Sequence, residues 1–161
     1  MKHGFYYDTS VGRIGIVETG GPKGAVCNVF WSKIRLPQIT FTERETALLR
    51  KAGNQLKEYV KGERQMFDFP MVFIGTEFEQ KVWKALLSIP YGETRSYGEI
   101  ARQIGNAKAY RAVGRANANN PLCIFVPCHR VLSAGGKLTG YEGGLDRKRR
   151  LLRLEGIDIL E

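Results

Sequence analysis

The sequence predicts an α/β part followed by a helical part, a fold class of α/β plus α. Three observations carry this. β-branched and aromatic runs fill the chain up to about residue 70, helical periodicity with two marked starts takes over after it, and the basic residues collect in that second part. A chain of 161 residues buries one full core or two small ones that meet. The expected division is an α/β domain over 1–72 and a helical domain over 73–161.

Each element follows from its local pattern. "FYYDTSVGRIGIVE" and "GAVCNVFW" alternate in part and flank the turn cluster "TGGPKG", which predicts a hairpin. "TERETALLRKAGNQLKEYVKG" spaces Leu48, Leu49, Ala52, Leu56 and Tyr59/Val60 helically and stops at Gly62. "MFDFPMVF" is predicted extended, since Pro70 blocks a helix there. In "TEFEQKVWKALLSIP", Thr76 and Glu79 have capping-box spacing, and Phe78, Val82, Leu86 and Leu87 share a face that ends before Pro90. "SYGEIARQIG" repeats the device with Ser96 and Glu99, burying Ile100, Ala101 and Ile104. "AKAYRAVGRANAN" then forms a second short helix with Ala109, Ala112, Val113 and Ala116 as its apolar face. Two short helices about a tight glycine turn are a helix-turn-helix candidate. The second carries Lys108, Arg111 and Arg115 among small residues. That pattern suits close approach to DNA, and plain core packing uses it too.

"FVPCHRVL", residues 125–132, sets Cys128, His129 and Arg130 side by side in an apolar run that reads as a strand interrupted by Pro127. A thiol becomes a nucleophile as the thiolate, which cationic or basic neighbours favour. In a regular strand neighbours face opposite ways, so His129 reaches the sulfur only across a bend or through a water. A relay of that kind needs a carboxylate to orient the imidazole. Glu155, in "LLRLEGIDIL" near a helix end at Gly156, is the candidate. "LDRKRRLLRLEG" itself reads as a helix with a solvated basic face that also suits phosphates.

Charge and cysteine content narrow the function classes. The net charge of +9 comes mostly from one segment: residues 95–150 hold eleven Lys or Arg against three acidic residues. A local excess of that size is the footprint of a polyanion such as nucleic acid, or of a solvated basic surface. Cys27, Cys123 and Cys128 are an odd, widely spaced set that predicts reduced thiols and neither disulfides nor a zinc site. No run suits a membrane span or a secretory signal, so a soluble cytoplasmic protein without membrane partners is expected.

From "GTEFEQKVWKALLSIPYGETRSYGEIARQIG" through "RAVGRANANNP", "PCHRV" and "GGKLTGYEGGLDRKRRLLRLEG", the chain closely resembles the O6-alkylguanine-DNA alkyltransferase family. Weaker echoes lie in "TSVGRIGIVE" and "YVKGERQMFDFPM". The resemblance implies an N-terminal ribonuclease-H-like α/β domain and a C-terminal helical domain with a winged helix-turn-helix. It also implies direct reversal of DNA alkylation. Cys128 is then the alkyl acceptor, His129 and Glu155 its water-mediated relay, Tyr97 the phenol that protonates the leaving guanine, and Asn120 the residue that fixes the active-site turn. Arg111 is implied to enter the duplex from the minor groove in place of the flipped nucleotide, with Ala109, Ala112 and Gly114 permitting the approach. Arg115 and Arg130 are expected at DNA, and Val131, Tyr141 and Glu142 at the base pocket. Glu142 stands where a small residue is common in the family, a departure that bears on bulky adducts. The implied partner is double-stranded DNA bearing O6-alkylguanine, with O4-alkylthymine a further candidate. The protein is expected to act as a monomer, without metal or cofactor. A DNA-binding damage flag, a winged-helix regulator and a cysteine hydrolase are the alternative classes; Cys128 and single turnover separate them from alkyl transfer.

Overall fold

The structure is a computed structural model that describes residues 1–32, 39–141 and 143–159, and it divides into two units, Met1–Phe73 and Ile74–Glu161. Among the described residues it holds five α-helices and two small sheets, a mixed α/β chain. No helix there is long and apolar enough to cross a membrane.

In the first unit, β1 (His3–Thr9) turns directly into β2 (Gly12–Glu18), and β2 pairs antiparallel with β3 (Val26–Trp31) through the predicted turn cluster. The first predicted run therefore contains a hairpin of its own. Thr9 made that turn hard to see: its hydroxyl donates to the Gly12 carbonyl and accepts from the Val11 amide, closing a turn that has no Gly-rich signature. The short β4 (Thr42–Glu43) adds parallel to β1, giving the order β3-β2-β1-β4. Residues 70–72 lie extended along β3, and the Pro70 carbonyl takes the Val26 amide at 2.9 Å. Pro70, which has no N–H to lose, suits that edge.

α1 (Ala47–Val60) packs on the sheet through Leu49, Ala52, Leu56, Tyr59 and Val60, while Leu48 stays part-exposed. Thr46 caps it by accepting from the Leu49 amide, and its hydroxyl donates to the buried Glu18 carboxylate at 2.7 Å. The Tyr7 ring lies against Gly53, where a Cβ would fall 2.3 Å from the ring. Gly53 thus gives up helix propensity for sheet contact. Gly53→Ala should lower stability by about 1–3 kcal/mol, because overpacking outweighs the roughly 1 kcal/mol of propensity gained. Urea denaturation of the two proteins measures it; a more stable variant would refute the packing account.

In the second unit, α2 (Glu77–Leu87) and α3 (Tyr97–Gln103) both begin with complete capping boxes, at Thr76/Glu79 and Ser96/Glu99. The buried face of α2 is Val82, Trp83, Ala85 and Leu86. Phe78 is part-exposed and Leu87 exposed, so the face is rotated from the expected one. The reason is Trp83, whose indole N–H donates to the Ala116 carbonyl at 2.9 Å and fixes α2 against α4 (Tyr110–Ala118). β5 (Arg95–Ser96) precedes α3 and pairs parallel with β6 (Val131–Leu132). α5 (Leu145–Leu154) ends the described chain's helices.

The run 121–130 is not a strand. Leu122 to Val126 close a tight turn through the Val126 amide and the Leu122 carbonyl, and Cys128–Arg130 form one 3-10 turn. Ile124 sits there at a φ of 73°, an uncommon conformation for a β-branched residue that the buried surroundings impose. Uniform apolarity concealed this, because a buried turn and a buried strand carry the same composition.

Candidate active site

Cys128 opens the 3-10 turn at the end of the buried run 122–128, its side chain only 4 % exposed. Asn120 shapes the approach. Its side-chain amide donates to the Val126 carbonyl at 2.9 Å, and its carbonyl oxygen accepts the Leu122 amide at 3.0 Å. Asn117, on α4, donates to the Cys128 carbonyl at 3.4 Å. Sequence reasoning passed over Asn117, which looked like one more polar residue at a helix end.

The 3-10 turn separates the side chains of three consecutive residues and gives each a different environment. His129 is fully buried, and its Nε2 lies 2.7 Å from Glu155 Oε2. Glu155 caps the C-terminus of α5, where the helix stops before Gly156, and its side chain turns inward as the sequence suggested. Burial lowers the His129 pKa, and the hydrogen bond and charge of Glu155 oppose that shift. A neutral imidazole can take a proton, so the pair has the make-up of a base and its orienting carboxylate.

Arg130 departs from its expected place at DNA. It is 7 % exposed, and its guanidinium holds Glu155 bidentately, Nε to Oε1 at 2.7 Å and Nη2 to Oε2 at 3.0 Å. Nη1 donates to the Ile89 carbonyl at 2.7 Å, and the Tyr91 ring lies 5.7 Å from the guanidinium carbon. A phosphate contact would need the guanidinium in solvent, whereas here the buried carboxylate has claimed it.

Lys148 is the functional candidate that the sequence hid. Set within the run "RKRR", it looked solvated, yet it is fully buried. Its Nζ donates to the Val131 carbonyl at 2.7 Å and the Thr139 carbonyl at 2.8 Å. Burial lowers its pKa to about 8, and the charge of the Cys128 thiolate acts in the opposite direction. A helical-wheel count from the apolar Leu151 and Leu152 could have found it, since position 148 lies one turn before them on the buried side.

Tyr97 is the first residue of α3, and its hydroxyl lies 3.2 Å from the Thr139 hydroxyl. Its ring faces Gly114 of α4, where a Cβ would sit 3.9 Å away, so a small residue there leaves the phenol its place. Arg111 and Arg115 are exposed on α4, with Ala109 at the helix N-cap and Ala112 partly covered beside them. Tyr110, absent from the sequence-based candidates, is 49 % exposed, with its ring 5.8 Å from the Arg111 guanidinium carbon. Val131 is buried and its carbonyl engaged by Lys148; Tyr141 is partly buried and accepts the Gly144 amide through its carbonyl. Glu142 lies outside the described residues. No group of His, Cys, Asp and Glu suited to a metal occurs among the described residues.

A buried thiol beside a basic two-helix unit defines the class: an α/β protein in which a buried cysteine, preceding a histidine bonded to a carboxylate, lies against a basic helical domain. Residues 77–157 match the family model described as the 6-O-methylguanine DNA methyltransferase DNA-binding domain. The methylated-DNA–protein-cysteine methyltransferase of Methanosarcina acetivorans is 56 % identical over 124 residues, 77 % of this chain and 78 % of that one. The protein of the same name from Methanosarcina barkeri is 46 % identical and aligns over 93 % of this chain and 96 % of its own. The crystal structure of Mycobacterium tuberculosis OGT in complex with DNA superposes with a TM-score of 0.86 at 47 % identity, covering 95 % of this chain and 92 % of that one. The chain belongs to the methylated-DNA–protein-cysteine methyltransferase family.

Two outcomes test the electrostatics of the site. Glu155→Gln removes the charge that compensates buried Arg130, and should destabilise the protein by about 3–5 kcal/mol in urea titrations at neutral pH. A variant as stable as the parent would show that Arg130 finds solvent instead. For Lys148, folding lowers the pKa from 10.5 to about 8. Between those values the unfolded chain binds the extra proton, so this residue's contribution to stability rises with pH across that window and is flat below and above it. Lys148→Met should lose that rise, measured as the difference between the two stability–pH curves.

Proposed function

We propose that this chain repairs DNA by direct reversal, transferring a methyl or other alkyl group from guanine O6 in duplex DNA to Cys128, once per molecule. The observation that carries the proposal is the buried Cys128–Arg130 turn, which follows the nucleophile candidate with an imidazole bonded at 2.7 Å to Glu155. The DNA-bound relative of similar fold supports DNA as the partner.

The roles carry the family resemblance onto these positions. His129, held by Glu155, draws the proton from Cys128 through a water. The thiolate attacks the alkyl carbon in line with the C–O6 bond, the S–C bond forms as C–O6 breaks, and the electron pair stays on guanine. Tyr97 gives the base its proton, and the proton lost by the thiol replaces it by way of His129 and solvent. The target carbon is inside the stack, so the base must be extruded at a cost of a few kcal/mol. Arg111 fills the gap from the minor-groove side, while Ala109, Ala112 and Gly114 let α4 approach and Arg115 meets phosphate. Val131 and Tyr141 line the base pocket, and Asn120 holds its turn. α3 and α4 serve as the helix-turn-helix of a winged domain over 73–161, and residues 1–72 as a ribonuclease-H-like domain. The protein acts as a monomer in the cytoplasm, without metal or cofactor. A thioether is not hydrolysed under cellular conditions, which makes the reaction stoichiometric.

Intact-protein mass spectrometry after incubation with a duplex containing O6-methylguanine tests this. One methyl group should appear on Cys128, saturating at one per protein, and Cys128→Ser should stay unmodified. An unchanged parent mass beside tight DNA binding would move the protein to a sensor or regulator.

A further inference from the structure

Thr139 is held at both of its oxygens. Its carbonyl accepts from Lys148 Nζ at 2.8 Å, and the same amine holds the Val131 carbonyl, one residue beyond the Cys128–Arg130 turn, at 2.7 Å. Its hydroxyl lies 3.2 Å from the Tyr97 phenol. A buried amine therefore ties the loop that carries Thr139 to the segment that follows the nucleophile. Thr139 then carries that reference across to the phenol on α3.

We propose that Thr139 is a positioning residue for proton delivery, its hydroxyl donating to the phenol oxygen of Tyr97. The inference rests on the reading of Tyr97 as proton donor. Two hydroxyls in contact can exchange donor and acceptor roles. Once a guanine acceptor is present, the phenol's own proton points to the base, and the bond from Thr139 supports the phenol oxygen from behind. As the S–C bond forms and the C–O6 bond breaks, the phenol proton passes to guanine and the phenol oxygen becomes anionic. The proton that left Cys128, carried by His129 and solvent, later restores the phenol, so no other reactant is consumed. A hydrogen bond to an anionic oxygen is stronger than one to a neutral oxygen, so Thr139 contributes more in the transition state than in the ground state. Lys148 supports this at one remove, by fixing the Thr139 backbone so that the hydroxyl need not search for its partner.

Single-turnover rates of methyl transfer from the O6-methylguanine duplex, with duplex affinity measured alongside, test the proposal as a double-mutant cycle. Thr139→Val should slow transfer about ten- to a hundredfold with affinity unchanged. Thr139→Ser should stay within about twofold of the parent, because it keeps the hydroxyl. Added to Tyr97→Phe, the Thr139→Val change should cost nothing further, since its target is gone. Thr139→Ala supplies the same comparison if valine disturbs folding. An equal loss in the parent and Tyr97→Phe backgrounds, or a parental rate for both Thr139→Val and Thr139→Ala, would overturn the assignment. Failure of the unmutated protein to take up methyl would overturn the alkyl-transfer reading first, and this inference with it.

Discussion

The second unit is organised around the buried carboxylate of Glu155. Among the described residues, His129 Nε2, two nitrogens of Arg130 and the Gly92 amide at 3.1 Å meet it. They come from two separated segments, the 3-10 turn and the loop before β5, and converge on the C-terminus of α5. An unpaired carboxylate in that place would cost several kcal/mol, so the three segments hold their mutual positions or the charge is exposed. The Tyr91 hydroxyl reinforces the junction by donating to the Leu154 carbonyl at 3.2 Å. The same network sets the tilt and partner of the His129 ring. Geometry that stability requires thereby also fixes how the imidazole is presented.

Burial is the main reason that a histidine next to a carboxylate keeps a low proton affinity, and Arg130 adds to it. A lone Glu155 would favour imidazolium, but Arg130 already neutralises the carboxylate, and burial penalises a second positive charge. The sequence "CHR" therefore encodes three distinct electrostatic tasks on one short turn. A regular strand would have put Cys128 and Arg130 on one face and His129 on the other, and a single carboxylate could not then have met both basic side chains so directly.

The elements that were legible from sequence are those specified locally. Thr76/Glu79 and Ser96/Glu99 each define a helix start with side chains three residues apart, so nothing distant is needed to see them. Glu155 was legible for a similar reason: three leucines before it and Gly156 after it place a helix end at an apolar face. The rotation of α2 depends on an indole bond to Ala116, thirty-three residues away, which periodicity cannot register. The 3-10 turn was hidden by an apolar composition shared with strands. Arg130 and Lys148 escape a reading in which charge signals exposure, because their partners are a carboxylate and carbonyls brought in from elsewhere in the fold. The family resemblance supplied roles for Cys128, His129 and Tyr97, but it gave no hint of Thr139, whose importance rests on distances alone.

The protonation states of the buried groups form one consistent set. A neutral Lys148 amine has two N–H groups, enough for the carbonyls of Val131 and Thr139; protonation adds a third and a charge that only a nearby anion offsets. An ionised Cys128 would be such an anion, since its charge acts to raise the Lys148 pKa against burial. Proton loss from the thiol and proton retention on Lys148 therefore favour each other.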